Sequence, residues 1–137
     1  YIHAGGKMGV LVEVNCETDF SAKTDDFTTF TKDIAMQIAA SAPIAIDREN
    51  VPEDVLEKEK DIFATQARES GKPDKIIDKI VEGKMKKFFS ETCLMEQTFV
   101  KNPDITVQDL LNELMAKTGE NIVISRFSRF QLGDACE

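Results

Sequence analysis

From Gly9 to Lys23 the chain reads GVLVEVNCETDFSAK, a short apolar strand that runs straight into a polar knuckle, Asn15-Cys16-Glu17-Thr18-Asp19-Phe20. Val10, Val12 and Val14 alternate with Leu11 and Glu13, the period-two pattern of a strand with one better-buried face. Such a face has to be covered by another layer, so the chain must bring a helix or a further sheet over it. Just past the strand end, the knuckle sets an acid beside a bulky aromatic. Adjacent side chains on a loop or first helical turn point in different directions, so Asp19 and Phe20 cannot both be buried cheaply in their own fold. Two readings stand at this level. The pair is a contact surface for another macromolecule, or Phe20 is a core aromatic that starts the next helix with Asp19 as its cap.

The rest of the chain divides readily into elements. Thr24 to Ser41 predicts a helix, because Phe27, Phe30, Ile34 and Ile38 recur at three- and four-residue steps. Thr24, Asp25 and Asp26 place capping oxygens and negative charge at its start, where unpaired NH groups and the helix dipole favour them. Pro43 ends it, and Ile44-Ala45-Ile46 is a candidate short second strand. Pro52 opens a helix through about Ser70 with Val55, Leu56, Glu59, Ile62, Phe63 and Gln66 on its inner stripe. Gly71-Lys72-Pro73 breaks it, and a further helix from Asp74 carries Ile76, Ile77, Ile80, Val81 and Phe88. The two form an antiparallel hairpin over about 52–93. Gly83 lies inside the second helix at a cost of about 1 kcal/mol relative to alanine, for which close helix packing is the usual compensation.

A loop from Leu94 to Asp104 follows. Thr106 is an N-cap for a helix with Leu110, Leu111 and Leu114, and Asp109 stands where a capping-box acid belongs. The last element, Glu120 to Leu132, is a strand. Ile122 and Ile124 share one phase, Phe127 takes the other and Phe130 returns, a slip that a bulge near Arg126 to Ser128 explains. Three strands and about four helices without strict alternation predict an α+β fold. It consists of a small three-stranded, mainly antiparallel sheet packed on helices, with the helical hairpin projecting.

Composition narrows the function. The 137 residues amount to one domain, and a net charge of −8 disfavours phosphate-driven nucleic-acid binding. Lys84, Lys86 and Lys87 are flanked by Asp78, Glu82 and Glu91 and read as a solvated helix face. No apolar run approaches the roughly 18–20 residues that span a bilayer, and no secretory signal pattern is present. The chain starts at Tyr1 rather than Met, as expected of a fragment or a processed form. Cys16, Cys93 and Cys136 are irregularly spaced, which indicates reduced thiols rather than a disulfide framework or a zinc site. Cys136, close to the chain end, is a thiol that oxidation would let link two copies.

His3 is the only histidine, so neither a Ser-His-Asp nor a Cys-His pair can be assembled. Gly5-Gly6-Lys7-Met8-Gly9 lacks the P-loop spacing and precedes a strand, so it reads as a flexible turn. Asp25 and Asp26 are helix-capping acids and need no metal. The chain is read as a non-enzyme without a cofactor.

At this point the residues converge on a family. GVLVEVNCETDF strongly resembles the signature of elongation factor Ts, the bacterial and organellar exchange factor for the GTPase elongation factor Tu. Asp33 to Ala40, DIAMQIAA, resembles a helix of that family, and Val55 to Glu59, VLEKE, matches another segment. Gly71-Lys72-Pro73 followed by Lys79 to Phe88, Glu96 to Val100, and the closing Arg126-Phe127…Gly133 continue the resemblance in order over nearly the whole chain.

The resemblance implies a mechanism. Family members bind the GDP form of elongation factor Tu, weaken its hold on Mg²⁺ and nucleotide, and let GTP enter. Phe20 would wedge between helices of the GTPase, Asp19 would perturb the contacts that hold the Mg²⁺ shell, and Thr18 would shape the turn presenting them. Lys117 to Ile122 resembles a second contact segment, with Gly119 and Thr118 beside Phe20. Tyr1-Ile2-His3 matches a family Tyr-x-His whose histidine faces another domain of the partner.

Three departures stand out: Ser21 where the family usually has valine, Thr118 where it has isoleucine, and the absence from these residues of the family's N-terminal helical domain. The chain is expected to be the family's core, or dimerisation, domain in a short single-unit form that pairs as a homodimer. Its location would be the bacterial cytoplasm, or the interior of a plastid or mitochondrion. The alternative is a non-catalytic interaction or dimerisation module of a larger ribosome- or plastid-associated protein.

Overall fold

The computed structural model of the chain describes residues 1–135, so Cys136 lies outside the described residues. The elements in order are β1 (Met8–Asn15), α1 (Asp19–Ala22), α2 (Asp25–Ser41), α3 (Glu53–Glu69), α4 (Asp74–Thr92), β2 (Thr98–Phe99), β3 (Asn102–Thr106), α5 (Val107–Thr118) and β4 (Val123–Gln131), with short 3-10 turns at Arg48–Asn50 and Leu94–Glu96. This is the expected α+β architecture of small antiparallel sheets packed on helices.

β1 pairs antiparallel with β4. The pairs Val10–Arg129, Val12–Phe127 and Val14–Ile124 line the inner face, while Gly9–Phe130, Leu11–Ser128 and Glu13–Arg126 line the outer one. Register slips between Glu13 and Val14, so Ser125 is the extra residue in β4. That bulge lies one residue before the stretch expected from the sequence. It has the expected consequence of returning Phe127 to the core side with Ile124 and turning Phe130 out. The inner face meets α2, whose Phe27, Phe30, Ile34 and Ile38 form the centre of the core with Leu111 and Leu114 of α5 and Ile122. Thr24 caps α2 through its hydroxyl, and Thr106 with Asp109 makes the anticipated capping box on α5.

The three-stranded detail requires correction. Ile44–Ile46 does not join β1 or β4; Ala45 makes an isolated parallel bridge to Cys93. Ala42 ends α2 in the left-handed region at φ 44, and the chain then runs along the exit of α4, where Leu94 N donates to Ala45 O (2.9 Å) and Met95 N to Ile46 O (3.0 Å). The place beside β1 is taken instead by the start of the chain. Val10 N donates to Tyr1 O (2.8 Å), His3 N donates to Met8 O (2.9 Å), and Ile2 bridges Gly9. The predicted loop from Leu94 to Asp104 likewise contains structure, since β2 and β3 pair as a small separate hairpin.

A buried glutamine holds that second hairpin to α2. Gln37 is 0% exposed. Its Nε2 donates to Thr98 O (3.1 Å), Ser41 Oγ (3.0 Å) and Gln97 Oε1 (3.3 Å), and its Oε1 accepts from Val100 N (2.8 Å). Burial of an amide is tolerable only when its polar atoms are satisfied in this way.

α3 and α4 form the expected helical hairpin and pack chiefly on each other. Ala67, Ile77 and Met85 are their buried residues. At the base, Ala45, Val51 and Cys93 cluster with Val55, Leu56 and Phe89, and Arg48 stacks over the Phe89 ring at 4.6 Å while pairing with Glu96 at 2.7 Å. Gly83 departs from expectation. A Cβ built there meets nothing within 4 Å, so close helix packing does not account for the glycine.

Candidate functional site

β1 delivers the chain to Thr18, which has the extended backbone of an N-cap (φ −132, ψ 152), and its hydroxyl accepts from Ser21 N at 3.3 Å. Asp19 and Phe20 are the first two residues of the four-residue α1. Thr24 closes the far side, donating to Ser21 O (2.8 Å) and accepting from Phe27 N (3.2 Å). The backbone of the knuckle is therefore tied at both ends, and Ser21 is the residue that faces inward. Phe20 faces out and is 86% exposed, beside an exposed Asp19. The core-aromatic alternative is overturned: the ring leaves the fold instead of entering it. An aromatic that exposed leaves most of its burial free energy unrealised in its own fold, to be gained only if a partner covers it.

The second predicted segment arrives at the same place. α5 ends at Thr118, and Gly119 caps it in the left-handed region (φ 67), which turns the chain back and aims the next residue at the knuckle. Thr118 serves the turn itself, its hydroxyl donating to Leu114 O (3.0 Å) and accepting from Glu120 N (3.3 Å). Glu120 then makes the link. Its Oε1 accepts from Glu17 N (3.0 Å) and Thr18 N (2.9 Å), and its Oε2 accepts from the hydroxyls of Thr18 (2.7 Å) and Ser21. The Ser21 hydroxyl and then that of Thr18 hold the Glu120 carboxyl below the ordinary glutamate range; burial opposes them, and the Thr18 and Glu17 NH groups add lesser lowering contributions.

Thr18, Asp19 and Phe20 are thus brought together with the segment carrying Thr118 and Gly119. His3 is not. It pairs with Met8 at the start of β1, an eight-residue strand whose other end feeds the knuckle, about 25 Å away at the usual rise. Its Nδ1 lies 2.9 Å from the Tyr1 hydroxyl.

Sequence reasoning missed Glu120 and the inward role of Ser21. No periodicity or motif spacing joins residues about a hundred positions apart; the family resemblance set Thr118 and Gly119 beside Phe20 but did not single out Glu120. Among the described residues, no group of three or more His, Cys, Asp or Glu is arranged to hold a metal ion, and no helix is long and apolar enough to cross a membrane.

Fold and site together define an α+β protein that displays an acid–aromatic pair on a hydrogen-bonded knuckle braced by a second, distant segment. A family model described as Elongation factor TS matches residues 1–134. Elongation factor Ts of Carboxydothermus hydrogenoformans is 61% identical over 134 residues, which cover 98% of this chain and 62% of that protein. Elongation factor Ts of Geobacter sulfurreducens is 60% identical over 137 residues, 100% of this chain and 63% of the relative. That of Desulfosudis oleivorans is 60% identical over 134 residues, 98% of this chain and 68% of the relative. The chain belongs to the elongation factor Ts family. It spans a little over three-fifths of the length of the first two relatives, 62% and 63%.

Proposed function

We propose that this chain is a guanine-nucleotide exchange factor acting on elongation factor Tu. The observation that carries the reading is Phe20, 86% exposed on a tied knuckle in a member of this family. The ring would insert between helices of the GTPase, with Asp19 beside it acting on the contacts that hold Mg²⁺ and Thr18 setting the turn. Thr118 and Gly119 lie in the bracing segment and would complete the contact. His3, at the far end of β1, would meet a different part of the partner.

No catalytic group is required for this activity. If the factor and GDP bind one GTPase with unfavourable coupling, each weakens the other by the same factor. Faster GDP release followed by mass action from abundant GTP is then sufficient. The proposed activity is exchange and not chemical turnover, so the chain is no enzyme in this reading. Stopped-flow release of fluorescent GDP from elongation factor Tu tests it. Acceleration by the chain is expected, and a folded chain that leaves the release rate unchanged would refute the reading.

The proposal extends to a homodimer built on the outer face of the β1–β4 sheet, as suits the core domain of a short family form. Leu11 and Phe130 are 77% and 73% exposed there, and Ile2 and Leu132 extend the apolar surface at its edge. The only charged pair on the register is Glu13–Arg126, joined at 2.9 Å, so this face is nearly neutral on a chain of net charge −8. Two copies meet with least repulsion there. Light scattering at high concentration is expected to give twice the chain mass, and Leu11→Glu is expected to return the monomer. A monomer throughout would refute the dimer.

A further inference from the structure

Resting on the exchange-factor reading, we propose that Glu120 is a positioning residue whose carboxylate holds the Thr18–Phe20 knuckle in its presenting geometry, with the Ser21 hydroxyl as one of its anchors. The argument begins with what the knuckle lacks. α1 has only four residues, far below the length at which a helix holds itself together, so something outside it must fix its first turn. Glu120 provides this from the far end of the chain. Each carboxylate oxygen accepts two bonds, one from a pair of backbone NH groups and the other from a pair of hydroxyls, so its acceptor capacity is filled by the knuckle alone.

Thr18 is held twice. Its hydroxyl donates to Glu120 (2.7 Å) while accepting from Ser21 N (3.3 Å), so the cap of α1 and the clamp share one oxygen. Ser21, the next residue after Phe20, is buried and sends its hydroxyl to the same carboxylate, a bond that valine cannot make. Bonds to an ionised acceptor are about twice as strong as neutral ones, so this cluster is well suited to suppress motion of an exposed ring. Because Gly119 precedes Glu120, the clamp also fixes the two contact segments relative to each other. A preordered contact binds more tightly because less conformational freedom is lost on docking.

The test uses the full chain as wild type, Glu120→Ala, Glu120→Gln and Ser21→Ala, with Glu113→Gln on the exposed side of α5 as a control. Two readouts are taken on each: amide hydrogen exchange at Glu17 and Thr18 by NMR, and the concentration dependence of fluorescent-GDP release from elongation factor Tu. In Glu120→Ala the two amides are expected to exchange at least about tenfold faster, and the half-saturating concentration to rise about tenfold, the worth of one charge-assisted bond. The maximal release rate should change less. Glu120→Gln should recover part of both losses, Ser21→Ala should show a smaller loss that is not additive with Glu120→Ala, and the control should match wild type. Unmoved amides in Glu120→Ala would overturn the proposal, as would loosened amides with an unchanged concentration dependence. If the wild type does not accelerate release, the exchange reading fails by itself and the amides still decide whether Glu120 orders the knuckle. Should Glu120→Ala not fold, Glu120→Gln and Ser21→Ala carry the same comparison.

Discussion

Truncating Phe20 to alanine separates what this ring does for its own fold from what it does for a partner. The residue is 86% exposed, so the folded chain covers only about a seventh of it. Complete burial of a phenylalanine side chain contributes about 1.5–3 kcal/mol, so the share already realised in the fold is roughly 0.2–0.4 kcal/mol. Alanine's better helix propensity in α1 offsets even that. The remaining roughly 1.3–2.6 kcal/mol is gained only if a partner covers the ring, which corresponds to about a 10- to 80-fold rise in half-saturating concentration. Urea unfolding of Phe20→Ala is therefore expected to match wild type within about 0.5 kcal/mol. Stopped-flow GDP release by the variant should need far more protein to saturate. A stability loss above about 1 kcal/mol with unchanged exchange would show that the ring serves the fold, refuting the argument from exposure. Unchanged stability together with unchanged exchange would remove Phe20 from the mechanism.

Three further perturbations follow from the same geometry. Gly83→Ala puts a methyl into open space in a helix interior and should stabilise the chain by about 1 kcal/mol, a rise of roughly 3–5 °C in thermal midpoint; a fall would mean a contact at Gly83 that the fold does not display. Gln37→Leu keeps the volume but leaves Val100 N, Thr98 O and Gln97 Oε1 without their partner, so urea unfolding should show a loss of about 2–4 kcal/mol, and a loss under about 1 kcal/mol would mean that water replaces the amide. Glu120 gives a pH signature whose sign is fixed: its folded-state pKa lies below the unfolded value, so its contribution is present above the ordinary glutamate pKa of about 4.3 and is lost as pH falls through the lower folded value. The stability difference between wild type and Glu120→Gln should therefore shrink as the pH is lowered through that window, and a difference that grows would refute the clamp's charged state.

Local chemistry proved readable wherever neighbours in sequence decide the outcome. The Thr24 cap and the Thr106–Asp109 capping box rest on hydrogen bonds spanning three residues, and the stripe of Phe27, Phe30, Ile34 and Ile38 rests on helix periodicity. The slip in β4 was legible because a bulge reverses side-chain phase, although phase alone located it one residue late. Gly119 and Thr18 were named through the family resemblance and not from local chemistry; in the structure Gly119 ends α5 in the left-handed region and Thr18 caps α1. The tip of the site, with Asp19 and Phe20 side by side on the knuckle, could be named before any coordinates. Whether the ring lay inside or outside could not, because an exposed aromatic and a core aromatic share the same local sequence.

Everything that depended on distant segments meeting required the tertiary structure. Ile44–Ile46 has the composition of a strand, yet the left-handed turn at Ala42 sends it past the end of α4, and residues 1–3 take the place beside β1. Gln37 reads in sequence as one polar residue in an apolar helix; its burial is tolerable only because Val100, Thr98 and Gln97 arrive to satisfy it. The same holds for Glu120 and Ser21, whose clamp joins the two ends of the chain across about a hundred residues. By itself the sequence determined the four longer helices, the caps of α2 and α5, the strand that feeds the knuckle and the family. Only the tertiary structure decided that Phe20 stands in solvent and that a carboxylate from beyond α5 holds it there, because side-chain direction and long-range hydrogen bonding are set by packing and not by neighbouring residues.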